Sequence, residues 1–210
     1  LMRAGRFPPT IVVGVWNAGP LRHSEYHPEQ ALAFVPEPQR SAYVAQALAG
    51  RPRADAYLRF LVEELKPAID ARYATRPERA ATAVLGSSMG GMASVYALCE
   101  HPQVFGGAAG LSTHWVAAHQ PNATMPLAAF RYLHERLPPP DGVRRLYMDH
   151  GTTELDALYA PYQAFVDEIV RERGYTVQDS LLRSFPGTGH NERAWAARVD
   201  VAIAFLLGGR

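Results

Sequence analysis

A short apolar run at residues 80–85 breaks without a spacer into Gly86-Ser87-Ser88-Met89-Gly90-Gly91, and a helical pattern follows at once to residue 100. Few features constrain a chain as tightly. When a strand turns straight into a helix around G-x-S-x-G, the central residue takes strained backbone angles, and glycine flanks it because side chains there would collide. The turn lifts the Ser88 hydroxyl above the sheet edge. It also sets the first amides of the helix beside that hydroxyl, with Met89 N–H as the natural donor to a developing oxyanion. Ser88 is the expected nucleophile, and Ser87 is expected to pack or hydrogen-bond next to it.

A unit of this kind needs a sheet, and the chain supplies the rest of one. Residues 11–16 (IVVGVW) form a continuous apolar, β-branched run, as expected of a strand covered on both faces. Further strands are predicted at 104–111, rich in Gly and Ala and so closely packed upon, at 144–149 and at 180–185. Helical periodicity marks 55–73, with Asp55 as a cap and Pro67 as a kink, and also 126–137, the stretch from Leu158 to Ile169, and 192–207. Strands interleaved with helices point to one mostly parallel sheet of five strands flanked by helices. Residues 17–55, rich in Pro, Gly and polar side chains, read as a long surface excursion.

A nucleophilic serine requires a base, and the base an orienting carboxylate. His190 stands in a Pro-Gly-Thr-Gly-His turn between the last predicted strand and the last helix, the position for the base. His114 and His119 come too early, His134 lies within a helix, and His150 sits where the acid is wanted. The acid is expected in the loop after 144–149, where Glu154 is favoured, Asp156 is the alternative, and Asp149 at the strand end is also within reach. Trp16 and Asn17, Arg22, and His114 with Trp115 are candidate substrate-binding residues, because strand C-terminal ends line the ligand crevice of open α/β sheets.

At 210 residues the chain is expected to form a single domain, residues 1–210, with a sizeable core. A net charge of +1, without blocks of like charge, gives no footprint for nucleic acid or an anionic membrane. No apolar run approaches the roughly 18 residues that span a bilayer, and residues 2–6 are not followed by a signal-peptide core. A soluble protein of open compartment is expected, the cytoplasm a little ahead. One cysteine, Cys99, rules out an internal disulfide, and nothing calls for a metal or cofactor.

Taken together, IVVGVWN at 11–17, Arg22 with Glu25-Tyr26-His27-Pro28, EELKPAIDARY at 63–73, GSSMGG at 86–91, HPQVFG at 101–106, the Gly-x-x-acid at 151–154 and His190-Asn191-Glu192 with Trp195 resemble one family. They are similar to the esterase group of α/β-hydrolases, which includes esterase D-like, enterochelin and feruloyl or acetyl-xylan esterases. The resemblance implies an α/β-hydrolase fold and hydrolysis of a small-molecule carboxylic ester, with Ser88 as nucleophile, His190 as base and Glu154 at the acid position. An acyltransferase and a non-catalytic binding module of the same fold are the rival readings. In that group two or three strands and an Asp-Gly loop, the source of the second oxyanion amide, usually precede the segment matching 11–17. Here only ten residues precede it, so the usual N-terminal strands are expected to be lacking. An exposed edge strand would then favour self-association into a homo-oligomer.

Overall fold

The strand–turn–helix unit repeats along the chain. The computed structural model describes residues 2–5, 7–116 and 123–208. Among these, four strands form one parallel sheet in sequence order: β1 (Ala83–Ser87), β2 (Gly107–Leu111), β3 (Arg145–Gly151) and β4 (Ser180–Phe185). The chain reaches β1 through α1 (Arg22–Tyr26), α2 (Gln39–Ala47), α3 (Ala54–Arg59) and α4 (Lys66–Arg72). A π-helical turn at Phe60–Leu65 joins α3 to α4 just ahead of Pro67. The expected kink is therefore a local widening, which accommodates a residue that lacks an N–H and crowds the preceding carbonyls. Then come α5 (Met89–Glu100) after β1, α6 (Thr124–Arg136) after β2, α7 (Tyr159–Glu172) after β3, and α8 (Glu192–Ala196) with α9 (Val199–Leu207) after β4.

The pleat sorts side chains onto two cores. Ala108, Leu146 and Met148 join the cluster of Met92, Val95, Tyr96, Phe130 and Val166 from the α5, α6 and α7 side. Their neighbours Ala109, Leu111 and Tyr147 pack with Ala202 and Leu206 of α9 on the other face. Alternation with a period of two residues is the geometry of any strand, and burial on both faces is what a parallel sheet requires. The small residues of β2 have a specific cause. A Cβ on Gly91 of α5 would lie 3.1 Å from Gly110 Cα, and one on Gly107 would lie 3.0 Å from Leu206. Helices on both faces approach this strand closely.

The excursion expected at 17–55 folds back on the helices. Leu32, Val35 and Leu48 pack with Met125 and Ala128 of α6 in a small core of their own. Asp55 does not cap α3 as expected. It accepts a hydrogen bond from Gln30 Nε2 at 2.7 Å and one from the Tyr96 hydroxyl, and so ties the excursion to α5.

One expected strand is not formed. Residues 11–16 run outside the sheet and make no backbone hydrogen bonds among the described residues, with Val12 79% and Trp16 93% exposed. A groove of about 960 Å³ separates this run from β1, with Ile11, Val13 and Val15 on one wall and Val84 and Leu85 on the other. A β-branched run becomes a strand only when a ladder partner lies within hydrogen-bonding distance, about 4.8 Å between strands, and here none does. Among the described residues the sheet therefore has four strands where five were expected, and β1 is an edge strand.

Candidate active site

Loops at the C-terminal ends of β1, β2, β3 and β4 converge on Ser88. Ser88 has φ 57° and ψ −122°, a conformation that costs about 1–3 kcal/mol in a residue with a Cβ. Its N–H donates to Leu111 O at 2.8 Å, and its carbonyl accepts from Gly91 N–H and His114 N–H at 3.0 and 3.2 Å. Gly86 is required: its Cβ would fall 2.4 Å from the backbone of Gly90. Gly90 itself has open space where a Cβ would be, so the steric demand of the motif falls on one glycine of the pair. The amides of Met89 and Gly90 head the twelve-residue α5 and have no intrahelical acceptor.

His190 Nε2 lies 2.8 Å from Ser88 Oγ, and its Nδ1 lies 2.5 Å from Asp156 Oδ1. The ring is held edge-on by Trp195 at 4.9 Å and Tyr159 at 5.5 Å between centroids, with His114 at 6.4 Å. Asp156 is buried and its other oxygen accepts from Gly151 N–H at 2.6 Å and Ser112 Oγ at 2.5 Å. Burial alone would raise its pKa. The hydrogen bonds from His190, Ser112 and Gly151 outweigh that and hold the carboxyl below its ordinary range.

Glu154, the acid favoured from the sequence, does not meet the imidazole. Its carboxylate accepts the backbone N–H of His190 at 2.8 Å and both of its oxygens lie near Asn191 Nδ2. Gly189 is needed for this, because a Cβ there would fall 2.4 Å from the Glu154 carboxylate. Glu154 has φ 56° and opens a 3₁₀ turn, Glu154–Leu158, which carries Asp156 round to face His190. Two residues along a tight turn point in different directions. Asp149 is likewise turned away, toward Arg198 and the Tyr147 hydroxyl.

The substrate-binding candidates separate. His114 lies in the site, its Nδ1 2.6 Å from the Tyr159 hydroxyl. Trp115 belongs to the core at 2% exposure, with its indole N–H on Gln163 Oε1 at 2.9 Å. Trp16 stands in solvent. Asn17 and Arg22 line the groove beside β1, which reaches Gly86 and Ser87; Asn17 Oδ1 caps Gly19 N–H at 2.9 Å and the Arg22 guanidinium lies over the Tyr26 ring. His119 lies outside the described residues.

Ser112, Tyr159 and Arg198 were not anticipated as site residues, nor Trp195 as a contact of the imidazole. Trp195 follows His190 by one helical turn and a residue, which was a usable signal. Arg198 carried a fainter one, a charge three residues on from Trp195 along an otherwise apolar helix stripe. Ser112 follows β2 with φ 46°. Three of the four non-glycine residues with positive φ, Ser88, Ser112 and Glu154, thus lie in this one cluster among the described residues. Strain concentrated in one place marks a functional site. No cluster of His, Cys, Asp and Glu suited to a metal ion occurs among the described residues.

The family model described as "Putative esterase" matches residues 2–206. Solved structures of similar fold include the enterobactin esterase of Shigella flexneri, 18% identical with a TM-score of 0.57 over 72% of this chain and 38% of that one. A ferulic acid esterase is 19% identical with a TM-score of 0.55, covering 72% of this chain and 60% of its own. An IroE-like serine hydrolase from Shewanella oneidensis is 16% identical with a TM-score of 0.66 over 96% of this chain and 60% of its own. The chain therefore spans less than two thirds of the length of each. No curated protein is significantly similar to it.

Proposed function

The chain belongs to the esterase family of α/β-hydrolases, and from that premise we propose that it hydrolyses small-molecule carboxylic esters through an acyl-enzyme on Ser88. The observation that carries this reading is the continuous array Ser88 Oγ, His190 Nε2, His190 Nδ1 and Asp156 Oδ1, with gaps of 2.8 and 2.5 Å. His190 takes the Ser88 proton as Oγ attacks the ester carbonyl. The negative charge that develops on the carbonyl oxygen is met by Met89 N–H at the positive end of α5. The imidazolium, stabilised by Asp156, gives its proton to the departing alcohol. Water then enters, loses a proton to His190 and attacks the acyl carbon. Collapse releases the acid and returns the proton to Ser88.

No metal or organic cofactor enters these steps. The aromatic and imidazole rings of Trp195, Tyr159 and His114 pack around the base, whose side chain is 12% exposed. The test is hydrolysis of p-nitrophenyl acetate together with covalent labelling by a fluorophosphonate. Ser88→Ala is expected to lower turnover by about 10⁴-fold or more and to abolish the label. Unchanged turnover, or a label on Ser87, overturns the assignment. Product analysis with a competing alcohol measures how much acyl group goes to water and how much to another acceptor.

A further inference from the structure

Behind Asp156 lies a buried polar cluster that the reaction as written does not use. We propose that Arg198 and Trp195 are positioning residues for the proposed hydrolysis: together they fill both acceptor sites of the Ser112 hydroxyl and so commit its one proton to Asp156. The inference rests on the esterase reading and goes a step beyond it.

Protons and lone pairs around the Ser112 hydroxyl decide where its hydrogen points. Ser112 Oγ has three partners: Trp195 Nε1 at 2.9 Å, Arg198 Nη2 at 2.7 Å and Asp156 Oδ2 at 2.5 Å. Indole and guanidinium nitrogens only donate, and a hydroxyl has two lone pairs and one hydrogen. Both lone pairs are taken, so the hydrogen goes to the carboxylate. Asp156 Oδ2 then accepts from Ser112 and from Gly151 N–H, which leaves Oδ1 facing His190. The plane of the carboxylate is pinned from behind.

Each member of the cluster is itself held. Ser112 has φ 46°, and its N–H donates to the Asp149 carbonyl at 2.9 Å and to Asp149 Oδ1 at 3.1 Å. Arg198 is 3% exposed; it pairs with Asp149 at 3.1 Å, donates to Thr188 Oγ1 at 3.0 Å in the His190 turn, and lies over the Phe185 ring. It occupies the break between α8 and α9, and it ties together the loops that follow β2, β3 and β4.

The charge arrangement has a direction. His190 is faced by Asp156, by Tyr159 from α7 and by His114 after β2, with Glu154 on its backbone side. Behind Asp156 stand Arg198, Asp149 and Tyr147. The Arg198 cation lies 3.8 Å from Asp156 Oδ2. It offsets part of the carboxylate charge that faces the imidazole, and a variant without it leaves that charge uncompensated.

The experiment is a set of double-mutant cycles on p-nitrophenyl acetate hydrolysis, with the rate of fluorophosphonate labelling of Ser88 as a parallel readout. Arg198→Gln and Ser112→Ala are each made alone and in the Asp156→Asn background. Each single variant is expected to lower kcat by about 10-fold with KM changed less than about 2-fold, and to move the acid limb of kcat/KM to higher pH by about half a unit. In the Asp156→Asn background the same changes are expected to cost less than about 2-fold, because the group they act through is gone. Arg198→Lys should fall between wild type and Arg198→Gln. An acid limb that stays put or moves down, or an equal loss in both backgrounds, overturns the proposal. If Arg198→Gln does not fold, Ser112→Ala and Trp195→Phe carry the same test with the Arg198–Asp149 pair intact. Turnover and labelling that survive in Ser88→Ala would instead sink the assignment of Ser88 as nucleophile, on which the proposal rests.

Discussion

Two carboxylates stand within two residues of each other on the turn that faces His190, and the backbone gives them different work. Glu154 has left-handed backbone angles and reaches the main chain of His190 and the side chain of Asn191. Asp156, two residues further along the 3₁₀ turn, reaches the imidazole. The pattern Gly151-Thr152-Thr153-Glu154 was legible in the sequence, but a residue's direction within a turn is set by φ and ψ, which the letters do not carry. Ser88 was legible because the steric demand at Gly86 leaves a trace in composition, and His190 because chain order and the strand before it limit the choice. The two acids are predicted to separate in the assay. Asp156→Asn should lower kcat about 10³- to 10⁴-fold through loss of the orienting carboxylate. Glu154→Gln should cost about 10-fold or less, with a lower melting temperature as its main effect, since it removes an anchor of the turn. Steady-state kinetics and thermal melts on both variants decide it, and a reversed ranking would restore Glu154 as the acid.

Elements were most readable where hydrophobic run and helical period agreed. The helix read from Leu158 to Ile169 came through because Tyr159, Gln163, Val166 and Val170 bury one continuous stripe, and the strand at 180–185 because its run lies between clear turns. The last helix reads as one unit over 192–207 but breaks between α8 and α9, where Arg198 turns inward to Asp149. A buried guanidinium that interrupts a helix is a tertiary fact with almost no local signal. The excursion before α3 hides another such fact. His27 is 2% exposed, its Nδ1 near the Tyr43 hydroxyl at 3.2 Å and its Nε2 without a hydrogen-bond partner among the described residues. Burial, and then the neighbouring charges of His23 and His114, lower its pKa to about 3. An unfolded chain binds this proton below about pH 6.5, whereas the folded chain resists it down to about 3. Stability is therefore lost as the pH falls through that window. Asp156, whose folded pKa is depressed, adds its own loss only lower down, as the pH falls below the ordinary carboxylate range. Melting temperature is predicted to fall by roughly 5 °C between pH 7 and 5, and His27→Gln should flatten that slope. An unchanged slope in the variant would remove His27 as its cause.

At the scale of the whole molecule, the sheet has its chemistry at one end and an open flank beside it. β1 carries Ser88 at its C-terminal tip, pairs with β2 on one side and faces the groove on the other. The run at 11–16 has the composition of a strand but stands across that groove, with no backbone hydrogen bond to a ladder among the described residues. Periodicity and β-branching identify a segment able to be a strand; they do not say whether a partner edge lies within reach, which is why this expectation failed and the other four held. The consequence is physical. An unpaired edge with exposed apolar side chains is a template for another chain, and Leu85, 40% exposed in the middle of β1, is the side chain that offers it. Concentration-dependent association is therefore predicted, readable by sedimentation velocity over a series of loading concentrations. Leu85→Lys places a charge on that edge and should suppress association, while p-nitrophenyl acetate turnover per chain stays within about 3-fold because Leu85 touches none of the proposed machinery. Association that persists in Leu85→Lys would assign it to another surface. A wild-type chain that sediments as a monomer at every concentration would mean that the run at 11–16, though unpaired, shields the edge by standing over it.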